Sequence, residues 1–178
     1  EFLRKYGHDG KYDWYFSLTR EGKPIIDPYN IFSYTFATMA FAQLAMASGN
    51  DEYAQIAKKT FDRILEKRSN PKGKWTIVEN LSASDNSLVD SFEGRSINPG
   101  HSLEAMWFIM DLGKRLGRPE LIQRAVEIAL RTIEYGWDKQ YGGIFYFMDR
   151  LGHPQQQLEW DQKLWWVHIE SAIAMIKG

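Results

Sequence analysis

Paired apolar helices dominate this sequence and limit what it can fold into. Five segments have apolar residues at the three- and four-residue spacing of an α-helix. They are predicted at residues 30–48, 51–68, 99–116, 119–135 and 161–177. In the first two pairs, one helix is apolar on nearly every side, whereas the next carries charges along one face. The pattern therefore predicts inner helices that are backed by outer helices.

Residues that start or stop helices mark the boundaries of these segments. Gly49 and Asn50 separate the first pair, and Asp51 can cap the second helix. Gly117 ends the third helix, and Pro119 suits the first turn of the fourth. Both pairs are thus predicted as helical hairpins with short connections.

Short aromatic segments with strand-like alternation lie between the helices. They cover residues 13–23, 74–87 and 142–153. Segments 12–24 and 142–154 resemble each other, because an aromatic strand, an arginine, a glycine turn and a proline recur in order. A repeated unit that cannot bury its own apolar face must stack on copies of itself. We therefore predict an all-α toroid with short β-hairpins between helix pairs, as a single domain over 1–178 that holds fewer than three pairs.

The composition restricts the partners of this chain. The 22 basic and 23 acidic residues are interspersed, so neither a nucleic-acid surface nor a membrane-binding patch is predicted. Cysteine is absent, which excludes disulfides and thiolate chemistry and fits a cytoplasmic location. No apolar run is predicted to span a membrane, and no signal peptide or metal-binding motif is found. We expect a soluble cytoplasmic protein without a metal site.

The motif NPGHSLE at 98–104 is the first candidate site. Asn98 is a suitable N-cap and Pro99 a suitable first helical residue, so His101 should lie in the first turn of an inner helix. Glu104 follows three residues later on the same face, where its carboxylate could orient the imidazole or bind a hydroxyl. The positive helix terminus favours a neutral histidine that accepts protons. A capping motif followed by a packed histidine is the alternative.

The segment QLEWDQKLWWVHIE at 157–170 is the second candidate site. Lys163, His168 and Glu170 are polar residues on a mostly apolar helix, and burial would penalise them unless each had a partner. Trp166 and Glu170 are four residues apart and face the same way, which suits an aromatic wall beside a carboxylate. The alternative is an aromatic core stripe with a surface glutamate.

Several motifs closely resemble the N-acylglucosamine 2-epimerase family in order and spacing. They are NPGHSLEAMWF at 98–108, GGIFYFMDR at 142–150, QLEWDQKLWWVHIES at 157–171, FSLTREGKP at 16–24 and IFSYTFATMAF at 31–41. The resemblance implies an (α/α)6 barrel that interconverts N-acetylglucosamine and N-acetylmannosamine by proton transfer at C2. It also implies that no cofactor is required, that ATP activates some members as an effector, and that members often form homodimers.

The resemblance also implies roles for individual residues. His101 matches the first catalytic histidine of the family, and Glu104 matches the glutamate that follows this histidine. Glu170 matches the essential glutamate that follows the paired tryptophans. His168 matches a position that is histidine in the N-acylglucosamine branch and commonly glutamine in cellobiose 2-epimerases. The residues expected to bind the substrate are Trp107, Trp165, Trp166 and His168.

The chain departs from the family pattern in two respects. Members have a second catalytic histidine and an early arginine, which we expect to lie after Gly178 and before Glu1. In addition, residues 68–76 run into TIVENL at 76–81 where the family has a helix pair, so a segment is expected to be missing near 68–76.

Three other functions remain open at this stage. An aldose-ketose isomerase of the same superfamily would move the proton from C2 to C1. A toroidal glycoside hydrolase would need two carboxylates about 5–9 Å apart across a glycosidic bond. A regulatory binding protein would retain the sugar or partner surface without turnover.

Overall fold

The computed structural model describes residues 1–68, 77–80 and 89–178, and within them it describes only the backbone of Leu65 and Arg68. Seven helices lie in these ranges: α1 Phe2–Tyr6, α2 Ile31–Ser48, α3 Asp51–Arg68, α4 Phe92–Arg95, α5 Pro99–Leu116, α6 Pro119–Gly136 and α7 Trp165–Lys177. The strands are β1 Ser17–Leu18, β2 Pro24–Ile26, β3 Ser96–Ile97 and β4 Met148–Asp149. The predicted mainly helical fold is confirmed.

Helix α5 occupies the centre of the fold. It packs against α2 on one side and α7 on the other, while α3 backs α2 and α6 backs α5. The fully buried side chains that join these layers include Tyr34, Phe61, Leu103, Met106 and Ile128. Three inner helices therefore lie side by side with two outer helices behind them, as the hydrophobic pattern predicts.

Local capping interactions place the inner helices in register. The Asn30 side chain accepts a hydrogen bond from the Phe32 N–H at the start of α2. Gly49 and Gly117 adopt left-handed conformations directly after α2 and α5 (φ 70° and 63°), as helix-ending glycines commonly do. The cap of α3 differs from expectation, because Asn50 rather than Asp51 accepts the Glu52 N–H.

Helix α7 begins four residues later than its apolar spacing predicts. Leu164 has an extended backbone (φ −77°, ψ 139°), so the helix starts at Trp165 instead of at position 161. The residue before it, Lys163, is drawn towards Asp138 by an ion pair of 2.7 Å, and its ammonium lies over the ring of Phe145. These contacts hold the segment in a non-helical path.

The strands pair differently from the predicted hairpins. β1 and β2 form a local antiparallel pair, but β4 pairs with the distant β3. The predicted strand at 74–87 falls mostly outside the described residues, as does the expected missing segment near 68–76, which stays a prediction. The predicted repeat is visible in its turns, because Gly22 and Gly152 each donate a backbone hydrogen bond to the carbonyl three residues earlier.

Within the residue ranges given above, one helix is long and apolar enough to span a membrane, judged by length and composition alone. Helix α2 has 18 residues with a mean hydropathy of 1.2, so the expectation that no apolar run would reach this length is wrong. Its buried residues, such as Tyr34, Phe41 and Ala45, lie in the same core cluster as residues of α3 and α5. This packing accounts for the apolar character of α2 as a core helix.

Candidate active site

The first turns of α2, α5 and α7 meet around the imidazole of His101. The edge of Phe32, from α2, contacts this ring with a centroid distance of 4.2 Å. The indole of Trp166, from α7, stacks on it at 5.2 Å and an interplanar angle of 27°. Asn98 caps α5 by accepting the His101 N–H, as predicted. The three inner helices thus present their N-terminal ends to one site.

Gly100 allows α7 to approach α5 closely at this site. A Cβ atom at this position would lie 2.5 and 2.7 Å from atoms of the Trp166 ring and 2.9 Å from Val167. Val167 is completely buried. The glycine of the NPGH motif is therefore required by the close packing of the Trp166 indole above the helix terminus.

The imidazole of His101 also has a carboxylate partner. Its Nδ1 lies 2.9 Å from Oε2 of Glu79, and only 12% of the histidine side chain and 9% of the glutamate side chain are exposed. Because an ionised carboxylate only accepts hydrogen bonds, Nδ1 is the donor and carries the proton. Glu79 is not among the residues that the sequence motifs predict for the site. An acidic residue directly after the buried Ile77 and Val78 was the available signal, because burial of such a group requires a partner.

The two predicted glutamates lie further along the inner helices. The Trp107 indole N–H donates to Oε2 of Glu170 over 2.6 Å, which fixes that carboxylate between α5 and α7. Burial raises the pKa of Glu104, and the nearby Glu170 carboxylate raises it further, whereas His101 opposes the shift. Glu104 therefore retains its proton to higher pH than an ordinary glutamate and can donate a hydrogen bond.

Replacement of Glu104 by glutamine is expected to stabilise the fold near neutral pH. The raised pKa means that this carboxyl contributes its full stability below the ordinary value of 4.5 and loses it as pH rises through the raised value. Glutamine stays neutral throughout, so the variant should be more stable than the wild type at about pH 7 and equally stable at about pH 4; because solvent screens this partly exposed carboxyl, the gain should be less than about 1 kcal/mol. Urea unfolding at both pH values measures this difference.

The matched control for this prediction is Glu134→Gln on the exposed face of α6. It should change the free energy of unfolding by less than about 0.5 kcal/mol at either pH. Equal stabilities of wild type and Glu104→Gln at about pH 7 would contradict the inferred effect of burial and of Glu170.

The four residues predicted to bind the substrate have different environments. Trp166 contacts His101 and also meets the ring of Tyr146 edge-on at 6.0 Å. Trp107 binds Glu170, as described. Trp165 is 74% exposed, and in the described part of the chain it makes no ring contact with this cluster. Trp166 and Trp107 therefore lie beside the predicted catalytic residues His101 and Glu170, whereas Trp165 borders solvent, and their binding role stays a prediction.

His168 has no ring nitrogen available for a ligand. Its Nδ1 lies 2.8 Å from the Leu164 carbonyl, and its Nε2 accepts the Ile144 N–H over 3.0 Å. Both nitrogens thus bind backbone groups, and the ring connects α7 to the segment that precedes β4. The substrate-binding role predicted for His168 does not fit this geometry, because a sugar hydroxyl would have to displace one of these bonds.

We expect that His168→Leu destabilises the fold, because both ring nitrogens bind backbone groups. Leucine leaves the N–H of the buried Ile144 without its acceptor, which should cost about 1–2 kcal/mol in the free energy of unfolding. Thermal unfolding measures this loss, and the exposed His153→Leu serves as control with a change of less than about 0.5 kcal/mol. A fully stable His168→Leu variant that no longer binds sugar would instead support a direct substrate contact.

An apolar groove elsewhere on the molecule does not suit a sugar. It has a volume of about 500 Å³ and lies between α1, β1 and α2, with Trp14, Phe16, Phe36 and Phe41 among its lining residues. None of the predicted site residues lines it. The histidine-centred cluster, with its polar groups and aromatic faces, is the better candidate for a site of chemistry.

The first turns of three inner helices surround His101, and Glu79 binds its ring, while Glu104 and Glu170 lie further along α5 and α7. This arrangement defines the chain as part of an α/α-barrel with a polar site near the helix N-termini. Solved structures share this fold. A D-mannose isomerase matches with a TM-score of 0.79 at 20% identity over 98% of this chain and 44% of its own. A cellobiose 2-epimerase from Spirochaeta thermophila matches with a TM-score of 0.76 at 16% identity over 99% and 44%, respectively.

The family follows from sequence comparison. The model of the family described as N-acylglucosamine 2-epimerase (GlcNAc 2-epimerase) matches residues 1–82 and 72–178. The N-acylglucosamine 2-epimerases of Mus musculus and Homo sapiens are each 30% identical over an alignment that is 221 positions long. These alignments cover 92% of this chain but only 53% and 52% of the relatives, so the chain spans about half of their length. The chain belongs to the N-acylglucosamine 2-epimerase family.

Proposed function

We propose that this protein interconverts N-acetylglucosamine and N-acetylmannosamine by removing and returning the proton at C2. Family membership supports the proposal, and the observation that carries it is the environment of His101. This imidazole binds a carboxylate through Nδ1, lies against an indole face and sits in the first turn of an inner helix. A general base that is oriented by a carboxylate is suited to proton abstraction.

The proposed reaction begins when the sugar ring opens to its aldehyde. The carbonyl makes the C2 proton acidic, and the Nε2 lone pair of His101 takes this proton while electrons move onto the carbonyl oxygen. A protonated Glu104 donates a hydrogen bond to the developing enediolate, which the raised pKa of its carboxyl favours. Return of a proton to the opposite face of C2 inverts the centre, and this step requires a second acid/base group.

Glu170 and Trp107 have a binding role in this proposal. The hydrogen bond between them fixes the Glu170 carboxylate, whose remaining lone pairs can accept sugar hydroxyls. The indole of Trp166, which stacks on His101, places apolar surface beside the base, where the sugar ring would bind. In this proposal ATP acts as an effector of the reaction and not as a reactant.

Proton NMR in D2O tests the proposed function. N-acetylmannosamine is incubated with the protein, with and without ATP, and we expect N-acetylglucosamine that carries deuterium at C2. N-acetylmannosaminitol is the control, because its C1 is an alcohol instead of an aldehyde, so the C2 proton is not acidified and should not exchange. A ketose product would identify an aldose-ketose isomerase instead. Binding of the sugar without exchange by the folded protein would indicate a binding protein.

A further inference from the structure

We propose that Glu79 is a positioning residue for proton transfer, which binds Nδ1–H of His101 and thereby leaves Nε2 as the atom that takes the C2 proton. This inference rests on the proposed function. The contact itself is short, 2.9 Å between Nδ1 and Oε2, and both side chains are largely buried. Water has little access to this pair, so it cannot readily replace the carboxylate as the acceptor.

The backbone of Glu79 is held on both sides. Its N–H donates to the Ser96 carbonyl over 2.9 Å, and its carbonyl accepts the Ile31 N–H over 3.0 Å. Ile31 is the first residue of α2, and Ser96 is the first residue of β3, which leads directly into α5. These bonds fix the backbone of Glu79 between the starts of the two helices, independently of the contact between its side chain and His101.

The neighbouring rings restrict the imidazole to one orientation. Phe32 meets it edge-on from α2, and Trp166 covers one of its faces from α7. A flip of the imidazole would exchange Nδ1 for a carbon atom opposite Glu79 and would break the hydrogen bond. No hydrogen bond to Nε2 is formed within the ranges that the structure describes, so this atom remains the proton acceptor.

His168 provides a comparison within the same chain. Its Nδ1 also faces an acceptor, in this case the Leu164 carbonyl instead of a carboxylate, but its Nε2 accepts the Ile144 N–H and is therefore occupied. Both histidines should be Nδ1–H tautomers, and only His101 combines that tautomer with an open Nε2. This difference separates a base that is ready for proton transfer from a histidine that supports the fold.

The test is nitrogen-15 NMR of the protein labelled at histidine, at about pH 8.5, where free imidazole is neutral. His101→Asn assigns the His101 signals. We expect an Nδ1–H tautomer for His101 in the wild type and a shift towards the Nε2–H tautomer, which free imidazole side chains prefer, in Glu79→Leu. An Nε2–H tautomer in the wild type would overturn the proposal without any variant, as would an unchanged tautomer in folded Glu79→Leu.

The control variant is Asp149→Asn, which removes a buried carboxylate from its 2.8 Å ion pair with Arg95. This pair lies at the β3–β4 contact, so its loss should destabilise the fold without changing the tautomer of His101. A change of tautomer in Asp149→Asn as large as in Glu79→Leu would show that general destabilisation is the cause.

Turnover provides an independent measurement. If the wild type exchanges the C2 proton, Glu79→Leu should lower kcat by about 10- to 100-fold and leave KM within about twofold, because the lost group orients the base and does not touch the sugar. An equal kcat in wild type and Glu79→Leu would overturn the proposal. If the wild type exchanges no proton, the proposed function fails, whereas the tautomer experiment still decides the role of Glu79.

Discussion

His101→Asn is expected to lower the rate of deuterium incorporation at C2 of N-acetylmannosamine by about 10³-fold, which is the usual contribution of a general base. Asparagine retains a polar side chain in the first turn of α5, and the backbone N–H that Asn98 caps is unaffected. It has no titratable nitrogen that can take a proton. The loss should therefore appear in kcat, with a smaller effect on KM.

His153→Asn is the matched control for this experiment. His153 is exposed in the turn that follows β4, and none of the contacts around His101 involves it. The His153→Asn variant should exchange the C2 proton of the sugar at the wild-type rate. A His101→Asn variant that retains more than about one tenth of the wild-type rate would exclude His101 as the base that removes the proton.

Gly100→Ala is expected to reduce the free energy of unfolding by about 2–3 kcal/mol, because the added methyl group overpacks a rigid contact. Its Cβ would meet the Trp166 ring at 2.5 Å, and Val167 behind it is fully buried, so α7 has to move away from α5. This movement withdraws the indole from the face of His101. We therefore expect sugar binding to weaken together with stability, as measured by urea unfolding and by titration of tryptophan fluorescence.

Gly49→Ala separates these two effects. Gly49 has a positive φ of 70° but open space where a Cβ would stand, so alanine there introduces backbone strain of about 1–2 kcal/mol far from the site. This variant should lose stability and still bind sugar as the wild type does. A Gly100→Ala variant with unchanged stability would show that α7 does not pack against the NPGH turn in this way.

The helices could be predicted from the sequence because their signals are local. The boundaries of α2, α3, α5 and α6 agree with the apolar spacing to within a residue, and Asn98 caps α5 as its position suggested. The same signals placed His101 correctly in a first turn. Residue spacing also brought Trp166 and Glu170 to one face of α7, where they contact His101 and Trp107 of α5.

The features that the sequence did not predict depend on distant partners. Glu79 lies 22 residues before His101 and outside any helix, so no periodicity connects the two. The pairing of β3 with β4 joins residues more than 50 positions apart. The short α1 and α4, with five and four residues, are too short to show a helical period. Spacing identifies His168 as a polar residue on α7 but cannot show that backbone groups already bind both its nitrogens.

The bond between the Ile144 amide and the His168 ring has a consequence for amide hydrogen exchange. A backbone N–H that is bound to a carbonyl keeps its acceptor when a side chain is replaced, but this one is bound to the ring of a side chain. In His168→Leu the acceptor is gone and the amide is released. Exchange of the Ile144 proton with solvent should therefore be faster in this variant than in the wild type, whereas amides bound to carbonyls should keep their rates, such as that of Phe145, which donates to Gly136. This single amide reports when the segment before β4 separates from α7.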